Sequence, residues 1–166
     1  MSTKQQGYIM QLVALAIICS VVALDQLSKD WIIGLLENNV WRPIEVTSFF
    51  RLVMVWNTGV SFGMFGGDGN STHWLLVLLP GLVVLGLVIW MVRSRHWIEV
   101  LGLAFVISGA LGNLIDRINR GAVADFFDFH VAGWHFWAFN VADCAISVGI
   151  MILLYDAFFN ADKKET

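Results

Sequence analysis

A chain of 166 residues, 58% apolar and only 14% charged, cannot supply the polar surface that a soluble domain of this size exposes, so its composition is that of a membrane protein. A net charge of −3, without a basic run interleaved with aromatics, excludes a nucleic-acid partner. One membrane domain over residues 1–166 accommodates the whole length.

A hydrocarbon core roughly 30 Å thick needs about 20 mainly apolar helical residues. The first such run covers about 8–27. It lacks a small-x-small exit and continues into Asp25-Gln26-Leu27-Ser28-Lys29, so it is expected to stay as an anchor. Cys19 follows Ile17 and Ile18, without the small residue that precedes a lipid-modified cysteine. A β-rich segment over about 40–70 comes next. Its run from Ser48 to Asn57 is rich in β-branched and aromatic residues, and Gly59, Gly63, Gly66 and Gly67 then break it, a pattern of strands with tight turns. With Trp31, Trp41, Trp56, Trp134 and Trp137 nearby, a small sheet in the interfacial belt is expected. The Gly-rich stretch from Gly59 to Gly69 is expected to act as a flap.

Further apolar helices are predicted over about 74–92, 98–116 and 138–157. The fold class is therefore an α-helical integral membrane protein with four transmembrane helices and a small periplasmic interfacial β-sheet. An even number of spans puts both termini on one side. Basic residues are tied between the two faces, but Arg93, Arg95 and His96 crowd into one short link. Their density places that link and both termini in the cytoplasm, and the longer stretches 31–73 and 117–135 in the periplasm.

Carboxylates at membrane depth are costly and need a partner or a function. Asp143 opens the fourth apolar run with no Lys or Arg in that segment. Its bland reading is a helix N-terminal acid stabilised by the local dipole. Asp125, in Val123-Ala124-Asp125-Phe126, lies in an apolar surround, with Asp128 three residues on, and the spacing leaves open which of the two is useful. Both regions fall at one membrane face. Two carboxylates held close share a proton, one acting as base and the other as acid, which suits direct hydrolysis of a peptide by water.

Other chemistries fit less well. The histidines show no HExxH pattern, so neither a metal nor a cofactor is expected. Ser28 and Lys29 are adjacent on a helix and point apart, which argues against a Ser-Lys dyad. Asp25 and Lys29, spaced i and i+4, read as a helix-end ion pair. Asp116 and Arg117 read as structural, pairing with each other or with Asp25. Gly109 and Gly112 allow close helix packing, and Asn57-Thr58-Gly59 is either a turn or a grip on a substrate main chain. A small proton-coupled carrier or channel subunit is the main alternative; it is expected to carry inverted repeats, whereas the acids here collect at one face.

Leu24-Asp25-Gln26-Leu27-Ser28-Lys29, Asn57-Thr58-Gly59, Gly109 to Arg117, Val123-Ala124-Asp125-Phe126 and Phe139-Asn140-Val141-Ala142-Asp143 together resemble, in order, the sequence blocks of the bacterial lipoprotein signal peptidase family, signal peptidase II. The resemblance implies an aspartyl endopeptidase whose catalytic pair is Asp125 and Asp143. It implies dyad-supporting or substrate-binding roles for Asn57, Asn113, Arg117 and Asn140, and mainly structural roles for Asp25 and Asp116; beside these, the residues themselves put Gly59 with Asn57 in the binding group and Lys29 with Asp25 in the structural one. The implied partners are diacylglyceryl-modified prolipoproteins, membrane lipid and inhibitory cyclic peptide antibiotics of the globomycin type. The implied setting is the bacterial inner membrane; the basic-residue asymmetry puts the active site at the periplasmic face, and a monomer is expected.

Overall fold

The structure is a computed structural model that describes residues 3–59 and 69–160. Among these, four helices are long and apolar enough to cross a membrane: α1 (Thr3–Asn38), α2 (Gly69–Arg93), α3 (Trp97–Arg120) and α4 (Val141–Phe159). Residues 60–68, which hold most of the expected flap, lie outside the described residues.

The helices pack around α3, which meets α4, α1 and α2. Small residues permit this closeness. A Cβ on Gly109 would stand 2.2 Å from the carbonyl oxygen of Ala142, and one on Gly149 would stand 2.6 Å from that of Gly102. Within the spans, Met10, Ala14, Val84, Met91, Val100, Leu103, Ala104 and Ile107 form one buried cluster. Leu78, Leu79, Leu82 and other large apolar residues of α2 face outward, as side chains do when lipid is the solvent. α3 ends at Gly121, whose φ of +76° is the left-handed cap that glycine adopts without strain, its N–H reaching back to the Arg117 carbonyl.

α1 runs well past residue 27, the expected end of the first span. The polar stretch from Asp25 to Asp30 does not stop the helix, because Gln26 and Lys29 are taken up by partners on α3, and Asp25 by Lys29 and by the Ala142 N–H of α4. Beyond it, Ile32 and Leu36 resume the apolar face and bury against Leu52 and Phe126 of the sheet. The C-terminal end of α1 is thus the post on which the sheet is mounted.

The sheet is antiparallel, in the order β1 (Ile44–Thr47), β2 (Phe50–Asn57), β3 (Val123–Val131), β4 (Trp134–His135). Half of it, β3 and β4, comes from the link between α3 and α4, where sequence patterning had pointed only to aromatic richness. A strand with Asp125 and Asp128 among its inward residues breaks the simple apolar alternation, and that hid it. Phe49, Phe129, Phe136, Phe139, Trp134 and Val131 line an apolar groove of 410 Å³ on this sheet, and Trp134 and Trp137 stand exposed beside it.

Candidate active site

Strand β3 carries Asp125 into the space between sheet and helices. Its backbone pairs with Val55 of β2, and two residues away Val123 pairs with Asn57. That register brings the Asn57 side chain over the carboxylate, where Nδ2 donates to Asp125 Oδ2 at 3.0 Å. The same side chain accepts the Gly59 N–H on its oxygen at 2.9 Å, so Asn57 ties the start of the Gly-rich stretch to the acid. Asp125 is 2% exposed. Burial, and then the charge of nearby Asp143, push its carboxyl up to about 6 against the opposing hydrogen bonds from Asn57 and Asn140.

Asp143 is delivered by the first turn of α4. Asn140 is the N-cap: its oxygen accepts the Asp143 N–H at 3.0 Å while Asp143 Oδ2 accepts the Asn140 N–H at 3.2 Å, a reciprocal capping box. The remaining arm of Asn140, Nδ2, donates to Asp125 Oδ1 at 2.6 Å. One fully buried residue therefore bonds to both carboxylates, and the two acids act on each other electrostatically. Asn113 of α3 completes the enclosure, donating from Nδ2 to Asp143 Oδ1 at 2.9 Å.

Beneath this pair lies a second, fully buried polar cluster. Lys29 Nζ stands 2.8 Å from Asp25 Oδ2 and 2.8 Å from Asp116 Oδ2. Asp25 spans further, its Oδ1 accepting the N–H of Ala142 in the first turn of α4 at 2.9 Å. The expected Asp25–Lys29 pair is present, but in mid-helix rather than at a helix end, since α1 continues to Asn38. Asp116 does not pair with Arg117. Its partners are Lys29, Gln26 and, one turn on, Arg120. Gln26 and Arg120 were missed from sequence; the i, i+4 spacing of Asp116 and Arg120 was the available signal.

Arg117 turns the other way. Its Nε is buried without a hydrogen-bond partner among the described residues, and its guanidinium lies 3.6 Å from where a Gly59 Cβ would stand. Gly59 has φ +72°, so both its backbone and the space above it favour glycine. Ser28 gives its hydroxyl to the Asp25 carbonyl at 2.8 Å and makes no dyad with Lys29.

Asp128 separates cleanly from Asp125. It is held by Arg51 Nε at 2.6 Å and by His135 Nδ1 at 3.0 Å. Burial alone would raise its carboxyl, but the Arg51 and His135 partners hold it below the usual carboxylate range. An acid so engaged is poorly placed to exchange protons. Asp128→Asn is expected to leave peptide turnover within about threefold of the parent while lowering thermal stability by roughly 1–3 kcal/mol through loss of the charged hydrogen bonds. A loss as deep as that of Asp125→Asn in the same assay would overturn the distinction.

Four helices long and apolar enough to cross a membrane, with two acids hydrogen-bonded to one buried residue beside a sheet, have the arrangement of a membrane-embedded aspartic peptidase. The profile of the signal peptidase (SPase) II family matches residues 17–159, and the chain belongs to that family. Among its relatives, the lipoprotein signal peptidase of Rhodopseudomonas palustris (strain TIE-1) is 43% identical over 155 residues, covering 90% of this chain and 94% of that protein. That of Caulobacter vibrioides is 40% identical over 166 residues, covering 99% and 95%. A solved bacterial membrane enzyme shares the fold with a TM-score of 0.74 at 24% identity, over 89% of this chain and 93% of that one.

Proposed function

We propose that Asp125 and Asp143 are the catalytic pair with which this chain removes the signal peptide from prolipoproteins, cutting just before a diacylglyceryl-modified cysteine. The single observation behind this reading is that Asn140, buried and rigidly capped, hydrogen-bonds to both carboxylates at once.

Asp125, buried and with its carboxyl pushed up to about 6, holds the shared proton as the acid. Asp143, in the first turn of α4, is the base. Water attacks the scissile carbonyl; one of its protons passes to Asp143 as Asp125 protonates the carbonyl oxygen. On collapse, the proton on Asp143 moves to the leaving nitrogen, the C–N bond breaks, and a hydroxyl proton of the diol returns to Asp125. Both acids end as they began, with no covalent intermediate.

Asn57, Gly59 and Arg117 edge the site, and the unpartnered Arg117 Nε suits a substrate carbonyl. A lipidated cysteine is held at the membrane surface by its own acyl chains, the depth at which the helix ends present the acids. The protein acts as a monomer in the bacterial inner membrane, with both termini cytoplasmic, the site periplasmic, and globomycin-type cyclic peptides as inhibitors that occupy it. The purified protein in detergent is expected to release the signal peptide from a lipidated prolipoprotein, leaving the modified cysteine at the new N-terminus by mass spectrometry, and to leave the unlipidated precursor intact. Cleavage at another bond, or none, would sink the proposal.

A further inference from the structure

We infer that Lys29 is a positioning residue for the acid pair: its ammonium fixes the sense of the Asn113 amide and so aims an N–H at Asp143. The inference rests on the reading of Asp125 and Asp143 as the catalytic groups.

Lys29 is fully buried, and an ammonium has three N–H bonds to place. Two meet Asp25 and Asp116, each at 2.8 Å. The third donates to Asn113 Oδ1 at 3.1 Å. Anchoring α1 to α3 requires only the contact to Asp116, since that to Asp25 lies within α1. The third contact is the one that leads to the site.

An amide has one accepting and one donating end, and its neighbours dictate which end faces which way. Asn113 Oδ1 takes two donors, Lys29 Nζ and Asn140 Nδ2, the latter at 3.2 Å. Reversal would set the amide NH₂ against both, one of them a buried cation. Asn113 Nδ2 therefore faces Asp143 Oδ1, at 2.9 Å. A fixed donor binds a carboxylate more strongly than a carboxylic acid, so this arrangement suits Asp143 to the part of the base. The Lys29 charge also acts directly on Asp125, opposing the effect of burial there.

A purely structural Lys29 and a positioning Lys29 differ in two readouts. The test is a cycle of Lys29→Met, Asn113→Leu and the double variant, each purified in detergent, checked for folding by thermal unfolding and assayed on a lipidated prolipoprotein across pH. Each single variant is expected to lose about 10- to 100-fold in kcat, the scale seen when groups supporting a reactive centre are removed. The double variant should lose no more than about threefold beyond the weaker single, because both act through one hydrogen bond. In Lys29→Met the low-pH limb of kcat/KM should move to higher pH by about one unit, a tenfold change in the ionisation equilibrium of the pair. Losses that multiply in the double variant, or a limb that stays in place, would overturn the inference.

If Lys29→Met alone fails to fold, because Asp25 and Asp116 are left as unpaired buried charges, the combined variant Asp25→Asn, Lys29→Met, Asp116→Asn removes the three charges together and serves the same two readouts. Asp125→Asn and Asp143→Asn run alongside. Turnover in either of those brings down the catalytic assignment itself, whereas two inactive aspartate variants with an unmoved limb bring down only the role of Lys29.

Discussion

Asp125→Asn and Asp143→Asn are each expected to lower kcat on a lipidated prolipoprotein by about 10²- to 10⁴-fold, the range for removing a positioned acid or base, with little change in KM. Asn preserves volume and one hydrogen-bonding oxygen, so the loss reports proton transfer rather than collapse of the site. Near-normal turnover in either variant would end the assignment.

Asp125→Asn also carries a stability signature of its own. The unfolded carboxyl titrates near 3.8 and the buried one at about 6, so between these values the native state holds more protons than the unfolded one. Burying Asp125 therefore costs nothing below about pH 4, and the penalty grows as pH rises through 6, reaching about 3 kcal/mol on the alkaline side. The substitution removes this slope. Relative to the parent, Asp125→Asn should gain about 2.5 kcal/mol of stability between pH 4 and pH 8, whatever fixed cost the altered hydrogen bonds impose. Thermal unfolding of the two proteins in one detergent at both pH values checks this, and a difference that does not vary with pH would refute it.

Gly109→Ala is expected to be the most damaging single methyl in the helical core. Its Cβ would fall 2.2 Å from the Ala142 carbonyl oxygen and 2.7 Å from Ile146 Cγ1. The first of these is backbone in the opening turn of α4 and has no rotamer by which to yield. Relief requires α4 to back away from α3, and Asn140 and Asp143 travel with it. Overpacking of this kind costs about 1–3 kcal/mol. The activity loss should exceed what the unfolded fraction explains, because Asn113 and Asp143 sit on the two helices being forced apart. Gly86→Ala is the control, since its added methyl meets nothing within 4 Å. Equal effects of the two substitutions would show that the contact at Gly109 does not set the helix spacing.

The helices were legible because lipid imposes length and apolarity on a spanning segment, and four runs met that demand. β2 was legible from its β-branched and aromatic run, whereas β3 was not, since its inward positions include two carboxylates that only tertiary partners make tolerable. Asp143 stood out as an acid opening an apolar run. Choosing Asp125 over Asp128 required the family resemblance. In the structure Asp128 is engaged by Arg51 and His135, whereas the hydrogen bonds to the Asp125 carboxylate among the described residues come from the amides of Asn57 and Asn140. The Asn140-x-x-Asp143 spacing was itself a readable capping box. The tie from Asp25 to the start of α4 was not readable, since its partners are 117 residues apart and no local pattern announces them.

The 36 residues of α1 extend about 54 Å at 1.5 Å per residue, far more than a hydrocarbon layer of roughly 30 Å can hide. A rod of that length answers changes in bilayer thickness by tilting. Because its C-terminal end carries the sheet, and the sheet carries Asp125, a tilt would swing one acid against the other, which is rooted in α4. The buried bridge from Lys29 to Asp116 ties that rod to α3, the helix against which α4 packs. A brace of that kind is expected to keep the distance between the acids steady from one bilayer thickness to another.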